Sequence, residues 1–350
     1  MNESVKPMLA SDNASGVHPA VFARMMAANA GHVIGYGADA YTASAERLFR
    51  LHFGEQAKVF FVTTGTAANA LALQAIAQSV DAVFCADCAH LRVDECGAPE
   101  RIAGCKVVGV ATNDGKLELP ALEEAVAFHA GLVHRSRPRV VSLSQATERG
   151  TVYQPEEVRR IAGFAHAQGM LVHMDGARLA NAAASLDLPL GTITRDLGVD
   201  IVSFGGTKNG LMMAEAIVVI DPALGGTLPS IRKQGMQLAS KQRFIAAQYL
   251  GYFEDDLWLH NARHANRMAA RLASALLAIE GVRVTAPVQA NMVFATLPPS
   301  WIAPLQQHTA FHVWNPRTSE VRFVTSFDTS ERDIDAFTGE MARLATRETV

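Results

Sequence analysis

From about residue 58 to 205, short apolar runs alternate with helix-like stretches, and this rhythm narrows the possible folds more than any other feature of the chain. The strand-like runs fall at 58–62, 82–85, 106–110, 139–143, 171–175 and 200–204, with one more at 215–220. Helical patterns intervene, among them an Ala/Leu-rich run to about Gln78 and amphipathic stretches at 119–130 and 155–168. Parallel neighbours need long crossover connections, which helices provide. The alternation therefore predicts an α/β chain with a large, mostly parallel sheet covered on both faces. After Gly281 the order changes to short strands mixed with two helical runs, which reads as a smaller α+β C-terminal domain. The 350 residues suffice for two domains at roughly 150 residues each. The helical pattern at 255–279 sets the boundary, giving 1–254 and 255–350.

Open α/β sheets bind ligands outside the carboxyl ends of their strands. Two residues at such ends carry chemistry. The run Leu171-Val172-His173-Met174 delivers Asp175, and the strand ending at Phe204 runs through Gly205 and Gly206 to a lone Lys208. An acid and a lysine on successive strand ends meet the needs of pyridoxal phosphate. The lysine forms a Schiff base and the acid keeps the pyridinium protonated. The bland reading of Asp175 is a cap on the following helix.

The turn Thr63-Thr64-Gly65-Thr66-Ala67-Ala68-Asn69, between a strand and a helix, offers free N–H groups and a positive helix end to a phosphate. It lacks the Gly-Lys-[Ser/Thr] ending of a P-loop. No Gly-x-Gly-x-x-Gly with a following acid points to a dinucleotide. Its plainer reading is helix capping by Thr64 or Thr66. His90, after the 82–85 strand, is a candidate to stack on an aromatic cofactor, although a lone His is usually structural. Tyr36 sits in a glycine-punctuated loop, where packing is the commoner role.

Cys85-x-x-Cys88 invites a zinc or redox reading. Cys96 and Cys105 stand singly, so buried or semi-buried free thiols are expected and no metal. The net charge of −3 argues against nucleic acid or a membrane surface as partner. Met1–Pro7 has no apolar core of a secretory signal, and no apolar run approaches the ~20 residues of a membrane span. A cytoplasmic location is the default expectation.

The stretch His173-Met174-Asp175-Gly176-Ala177-Arg178-Leu179-Ala180-Asn181-Ala182 closely resembles the signature of the low-specificity L-threonine aldolases. Ser11-Asp12-Asn13, Thr64–Asn69, Ala89-His90, Lys208 and Arg322-Phe323-Val324-Thr325 support the resemblance, which covers nearly the whole chain. It implies the fold of type I pyridoxal phosphate transferases. It also implies that Lys208 carries the cofactor, that Asp175 pairs with its ring nitrogen and that His90 stacks on the ring. Gly65 and Thr66 would bind the phosphate. Ser11, Arg178 and Arg322 would hold the substrate carboxylate, with Tyr36 lining the site; Asp94, where several members carry an aromatic, departs from the pattern and could bind the β-hydroxyl. Arg232 would reach the phosphate of a neighbouring subunit in a homotetramer with active sites at the subunit interface.

The implied reaction is retro-aldol cleavage of an L-β-hydroxy-α-amino acid such as L-threonine, L-allo-threonine or L-phenylserine to glycine and an aldehyde. The base for the β-hydroxyl proton could be His90, Glu148 through water, or a water held by Asp94. Glu148 stands where some members of the family carry a His. Two other readings stay open: β-elimination or amino transfer on the same fold, and a non-catalytic nucleotide-binding or scaffold protein.

Overall fold

The computed structural model describes residues 8–348, so the Met1–Pro7 stretch lies outside the described residues. Seven strands form the larger sheet: β1 (Lys58–Val62), β2 (Asp81–Ala86), β3 (Lys106–Val110), β4 (Arg137–Ser144), β5 (Leu171–Gly176), β6 (Ile201–Gly205) and β7 (Glu215–Val219). Their order is β1-β7-β6-β5-β4-β2-β3, and β7 alone runs against the rest. Every position of β2, β6 and β7 is buried, as a sheet covered on both faces requires.

Two apolar layers flank this sheet. On one side Phe49, Phe53, Phe61, Phe204 and Tyr249 pack ring against ring; on the other lie Leu71, Leu73, Val83 and Ile217. The chain leaves β2 outward to β3, then returns past it to β4. This reversal opens a crevice at the carboxyl ends of β2 and β4, the usual place for a ligand in such sheets.

The second sheet is antiparallel, in the order β10-β11-β9-β8, built from β8 (Arg283–Val284), β9 (Met292–Thr296), β10 (His312–Asn315) and β11 (Glu320–Val324). Helices Leu257–Leu276, Pro299–His308 and Glu331–Glu348 accompany it, and Leu272, Leu276, Trp301, Phe323 and Phe337 form its core. Leu9 joins this core. Its N–H donates to the Ala310 carbonyl at 2.9 Å, and its own carbonyl accepts from Val324 at 2.8 Å. Leu9 is thus pinned to the second sheet, and Ser11 and Asp12 follow two and three residues on.

The fold matches the expected α/β architecture. Boundaries differ where local chemistry intervenes. The helix expected from 255 begins at Leu257, because Asp255 and Asp256 take left-handed backbone angles of φ 49° and 53°. The helix Ala40–Phe53 starts where Asp39 caps it, accepting from the Thr42 N–H at 2.9 Å. The four cysteines are free thiols, but Cys96 is exposed rather than buried.

Candidate active site

A cleft of about 200 Å3 opens where the strand ends of the first sheet face the second. Ser11, Gly65, His90, Asp94, Glu148, Asp175, Arg178, Lys208 and Arg322, all singled out in the sequence, line it together. They arrive from several elements. Gly65 opens the helix Gly65–Ile76 after β1, His90 follows β2, and Glu148 lies in the turn after β4. Asp175 ends β5, Lys208 follows β6 in a short 3-10 turn, and Arg322 projects from β11. Parallel strands with adjacent register bring their ends to one level, as in the row Ser144, Asp175, Ser203 across β4, β5 and β6.

Asp175 is held firmly. Its Oδ1 accepts from the Ala177 N–H at 3.0 Å and its Oδ2 from Asn69 Nδ2 at 2.8 Å. The same Asn69 nitrogen donates to Glu95 Oε1 at 2.8 Å, and Glu95 Oε1 lies 2.9 Å from His90 Nδ1. The Glu95 side chain is wholly buried. Its hydrogen bond raises the pKa of His90 against the opposing effect of burial. Below Asp175, His173 sits between Ser142 at 2.8 Å and Ser203 at 2.9 Å, and burial pushes it down to about 4, so it stays neutral.

Burial drives Lys208 below the ordinary lysine range, and the Arg178 guanidinium adds to this. Asp12, Asp175 and Glu215 oppose it. Glu215 on β7 is pushed up to about 7 by burial, against a hydrogen bond from Thr207 and the charge of Lys208. A buried amine with a lowered pKa is available as a nucleophile. Arg178 donates through Nε and Nη2 to the two oxygens of Asp12 at 2.7 and 2.8 Å. Burial and the nearby Arg178 lower the pKa of Arg322, whose guanidinium lies 5.1 Å from the Trp314 ring centre.

Two of the expected residues lie elsewhere within the single chain. Tyr36 is exposed: its N–H donates to the Ser240 carbonyl at 3.0 Å, and Lys233 Nζ sits 5.3 Å from its ring centre. Arg232 donates to Gln242 Oε1 at 3.3 Å and lies at 3.4 Å from the Phe61 carbonyl, while its buried Nε has no partner. Thr66 stands in the first turn of the Gly65–Ile76 helix, beside the lining Gly65.

Sequence reasoning missed Asp12, Asn69, Glu95, Glu215 and Trp314. Asp12 and Asn69 were visible inside the Ser11-Asp12-Asn13 and Thr64–Asn69 motifs. Glu95, five residues after His90, becomes legible only when a short helical turn, His90–Val93, folds it back toward the ring.

The fold and cleft define an α/β protein with a buried lysine among acids and arginines at its strand ends. Residues 8–298 match the family of beta-eliminating lyases. The low specificity L-threonine aldolase of Pseudomonas aeruginosa is 45% identical over 289 residues, spanning 82% of this chain and 83% of that protein. A protein of the same name from a Pseudomonas species is 41% identical over 323 residues, 92% and 93% of the two chains. The structure of Leishmania major threonine aldolase superposes with a TM-score of 0.92 at 31% identity, over 97% of this chain and 99% of that one. The chain belongs to the beta-eliminating lyase family and, within it, to the low-specificity L-threonine aldolases.

Proposed function

We propose that this chain is a pyridoxal phosphate-dependent aldolase that cleaves L-β-hydroxy-α-amino acids to glycine and an aldehyde. The observation that carries the reading is the convergence of Lys208, Asp175, Arg178 and Arg322 on one cleft. The cleft suits the cofactor. A Cβ built on Gly65 would meet no atom within 4 Å, so the helix start at Gly65 and Thr66 faces open space where a phosphate can accept from N–H groups. Asp175 keeps both oxygens fixed by donors and so can hold a protonated ring nitrogen. The Lys208 amine would be the point of attachment, and His90, tethered by Glu95, would lie against the ring.

When bound, the cofactor supplies an electron sink for the pair released at the substrate Cα. The chain decides which bond releases that pair. Arg178 and Arg322, with Ser11, hold the carboxylate and so fix how Cα is turned; a guanidinium fork suits a carboxylate where a point charge would not. By fixing how Cα is turned, this clamp would select the Cα–Cβ bond for cleavage and would leave D-isomers inert. Trp314, Met292 and Ala146 give the remaining wall an apolar character, which accepts methyl and aryl substituents. Asp94, which lines the cleft and is exposed, would meet the β-hydroxyl.

Arg232 and Tyr36 lie outside the cleft of their own chain. They serve the site of a neighbouring subunit in a homotetramer, with Arg232 on the phosphate. Among the described residues no helix is long and apolar enough to cross a membrane; the cytoplasm is the proposed location.

The test is to supply L-threonine, L-allo-threonine and L-phenylserine separately and identify the products. Glycine with acetaldehyde or benzaldehyde supports the reading. A 2-keto acid with ammonia favours β-elimination, the activity in the family's name.

A further inference from the structure

The turn after β4 carries a buried carboxylate that neither the cofactor nor the carboxylate clamp uses. Glu148 Oε1 accepts from Ser144 Oγ at 2.7 Å and from the His90 backbone N–H at 2.8 Å. Both lone-pair directions of Oε1 are thereby filled, and a proton can come and go only at Oε2. Oε2 is buried and has no hydrogen-bond partner. A buried, unpaired acceptor costs free energy unless a ligand completes it. Glu148 lines the same cleft as Asp94, Arg178 and Arg322, at the switch point between β2 and β4.

The neighbouring candidates are less suited to take a proton. His90 has Nδ1 committed to Glu95, and that bond favours its charged, donating form. Asp94 is exposed on the rim, where water competes for it.

We infer that Glu148, through Oε2, accepts the β-hydroxyl proton during cleavage and returns it during condensation. This role rests on the aldolase reading above. In the cleavage direction the O–H bond breaks, the proton passes to Oε2, and the oxygen's pair forms the C=O bond of the aldehyde. The Cα–Cβ pair stays with Cα, which takes a proton from solvent, while Glu148 gives its proton back to solvent. Protons balance over the cycle. Burial raises the pKa of Glu148, and the Ser144 and His90 hydrogen bonds counter the rise. Such a carboxylate is a stronger base than one in water. The groups that face it electrostatically are Asp175 on β5, Cys85 and Cys88 at the end of β2, and Tyr153 beyond the turn.

The experiment compares wild type with Glu148→Gln in two reactions of the loaded enzyme. Cleavage of L-threonine needs a base at the β-oxygen, whereas exchange of the glycine Cα hydrogen in heavy water does not. General-base loss lowers kcat for cleavage by roughly 10²–10³-fold with KM little changed, while glycine exchange stays within about threefold. Equal loss of both reactions marks a merely structural residue and overturns the proposal, as does undiminished cleavage. Ser144→Ala, which removes a hydrogen bond that favours the carboxylate, moves the acid limb of the cleavage kcat to higher pH; an unmoved limb also counts against the role. In the cofactor-free protein, infrared titration shows a carboxyl band that Glu148→Gln lacks, and its absence from wild type refutes a titrating Oε2. If wild type forms no glycine from any β-hydroxy amino acid, the aldolase reading fails and this role falls with it; glycine formation with a normal Glu148→Gln kcat sinks this role alone.

Discussion

Replacing Asp12 with Ala tests whether Arg178 is held ready before substrate arrives. The Asp12 side chain is wholly buried, and Arg178 retains only 12% exposure. Two charge-assisted bonds at 2.7 and 2.8 Å join them, and Asn291 Nδ2 adds a third to Asp12 at 3.0 Å. Asn291 keeps a second acceptor, the Thr325 carbonyl at 2.7 Å, so its loss is small. The main cost is Arg178, left as an uncompensated charge beside Lys208 and Arg322. Breaking a buried pair in this way costs about 3–5 kcal/mol. Because water reaches part of Arg178, the lower end applies, about 3 kcal/mol, or two orders of magnitude in the unfolding equilibrium.

The assay is denaturant unfolding of Asp12→Ala, Arg178→Ala and the double variant. The double variant loses less than the sum of the singles by about 1–3 kcal/mol if the two side chains act as a pair. The pKa of Asp12 lies below the ordinary carboxylate value: burial would raise it, but Arg178, Lys208 and Asn291 outweigh that. A depressed folded pKa gives stability that is present above the ordinary value and lost as pH falls through the folded one. The gap between wild type and Asp12→Ala therefore narrows in acid. Additive single effects with a pH-independent gap would falsify the pairing.

Three further outcomes follow from the site. Asp175→Asn leaves a neutral partner for the ring nitrogen and slows turnover by roughly two orders of magnitude or more with cofactor still bound; a rate within threefold of wild type rejects its role. Glu95→Gln lowers the pKa of His90, read by NMR titration of the imidazole. Since the folded His90 value is raised, the Glu95 contact contributes below the ordinary histidine value and is lost as pH rises through the folded one, so the stability gap closes in base. Inactive Lys208→Ala chains mixed with inactive Arg232→Ala chains regain part of the activity if Arg232 acts across a subunit interface; no recovery after confirmed subunit exchange shows that each chain is complete alone.

The first sheet was legible because its strands are short, apolar and separated by helices of ordinary length. Periodicity reports which face is buried, and here nearly all faces are. Residues at strand ends, such as Asp175 and Lys208, were legible for a related reason: a charged side chain directly after a buried run has nowhere to go but the sheet edge. The partners of those residues were not. Asp12 reaches Arg178 across 166 positions of sequence, a contact that arises because Leu9 is tied to β11 of the second sheet. Asn69 meets Asp175 across 106 positions. Such contacts come from tertiary packing and leave no periodic trace. Tyr36 and Arg232 show the converse limit: motif similarity assigned them to a site, yet a single chain does not bring them to it.

In the proposed reaction, the two arginines of the cleft would favour a carboxylate over an amide or an alcohol. Arg178 is neutralised by Asp12, but Arg322 has no comparable partner: its Nε is buried without one, and its pKa is lowered first by burial and then by the charge of Arg178. The free site therefore stores like-charge repulsion and an unfilled donor, both held in place by the packing of β11 against β9. A substrate carboxylate relieves both at once, whereas a neutral amide accepts a hydrogen bond but leaves the repulsion. An amino-acid amide should consequently react far more slowly than the parent acid, by the roughly 2–5 kcal/mol that separates a paired from an unpaired buried charge. If amides and acids react alike, the guanidiniums do not read the carboxylate, and the choice of the Cα–Cβ bond must be explained by other contacts.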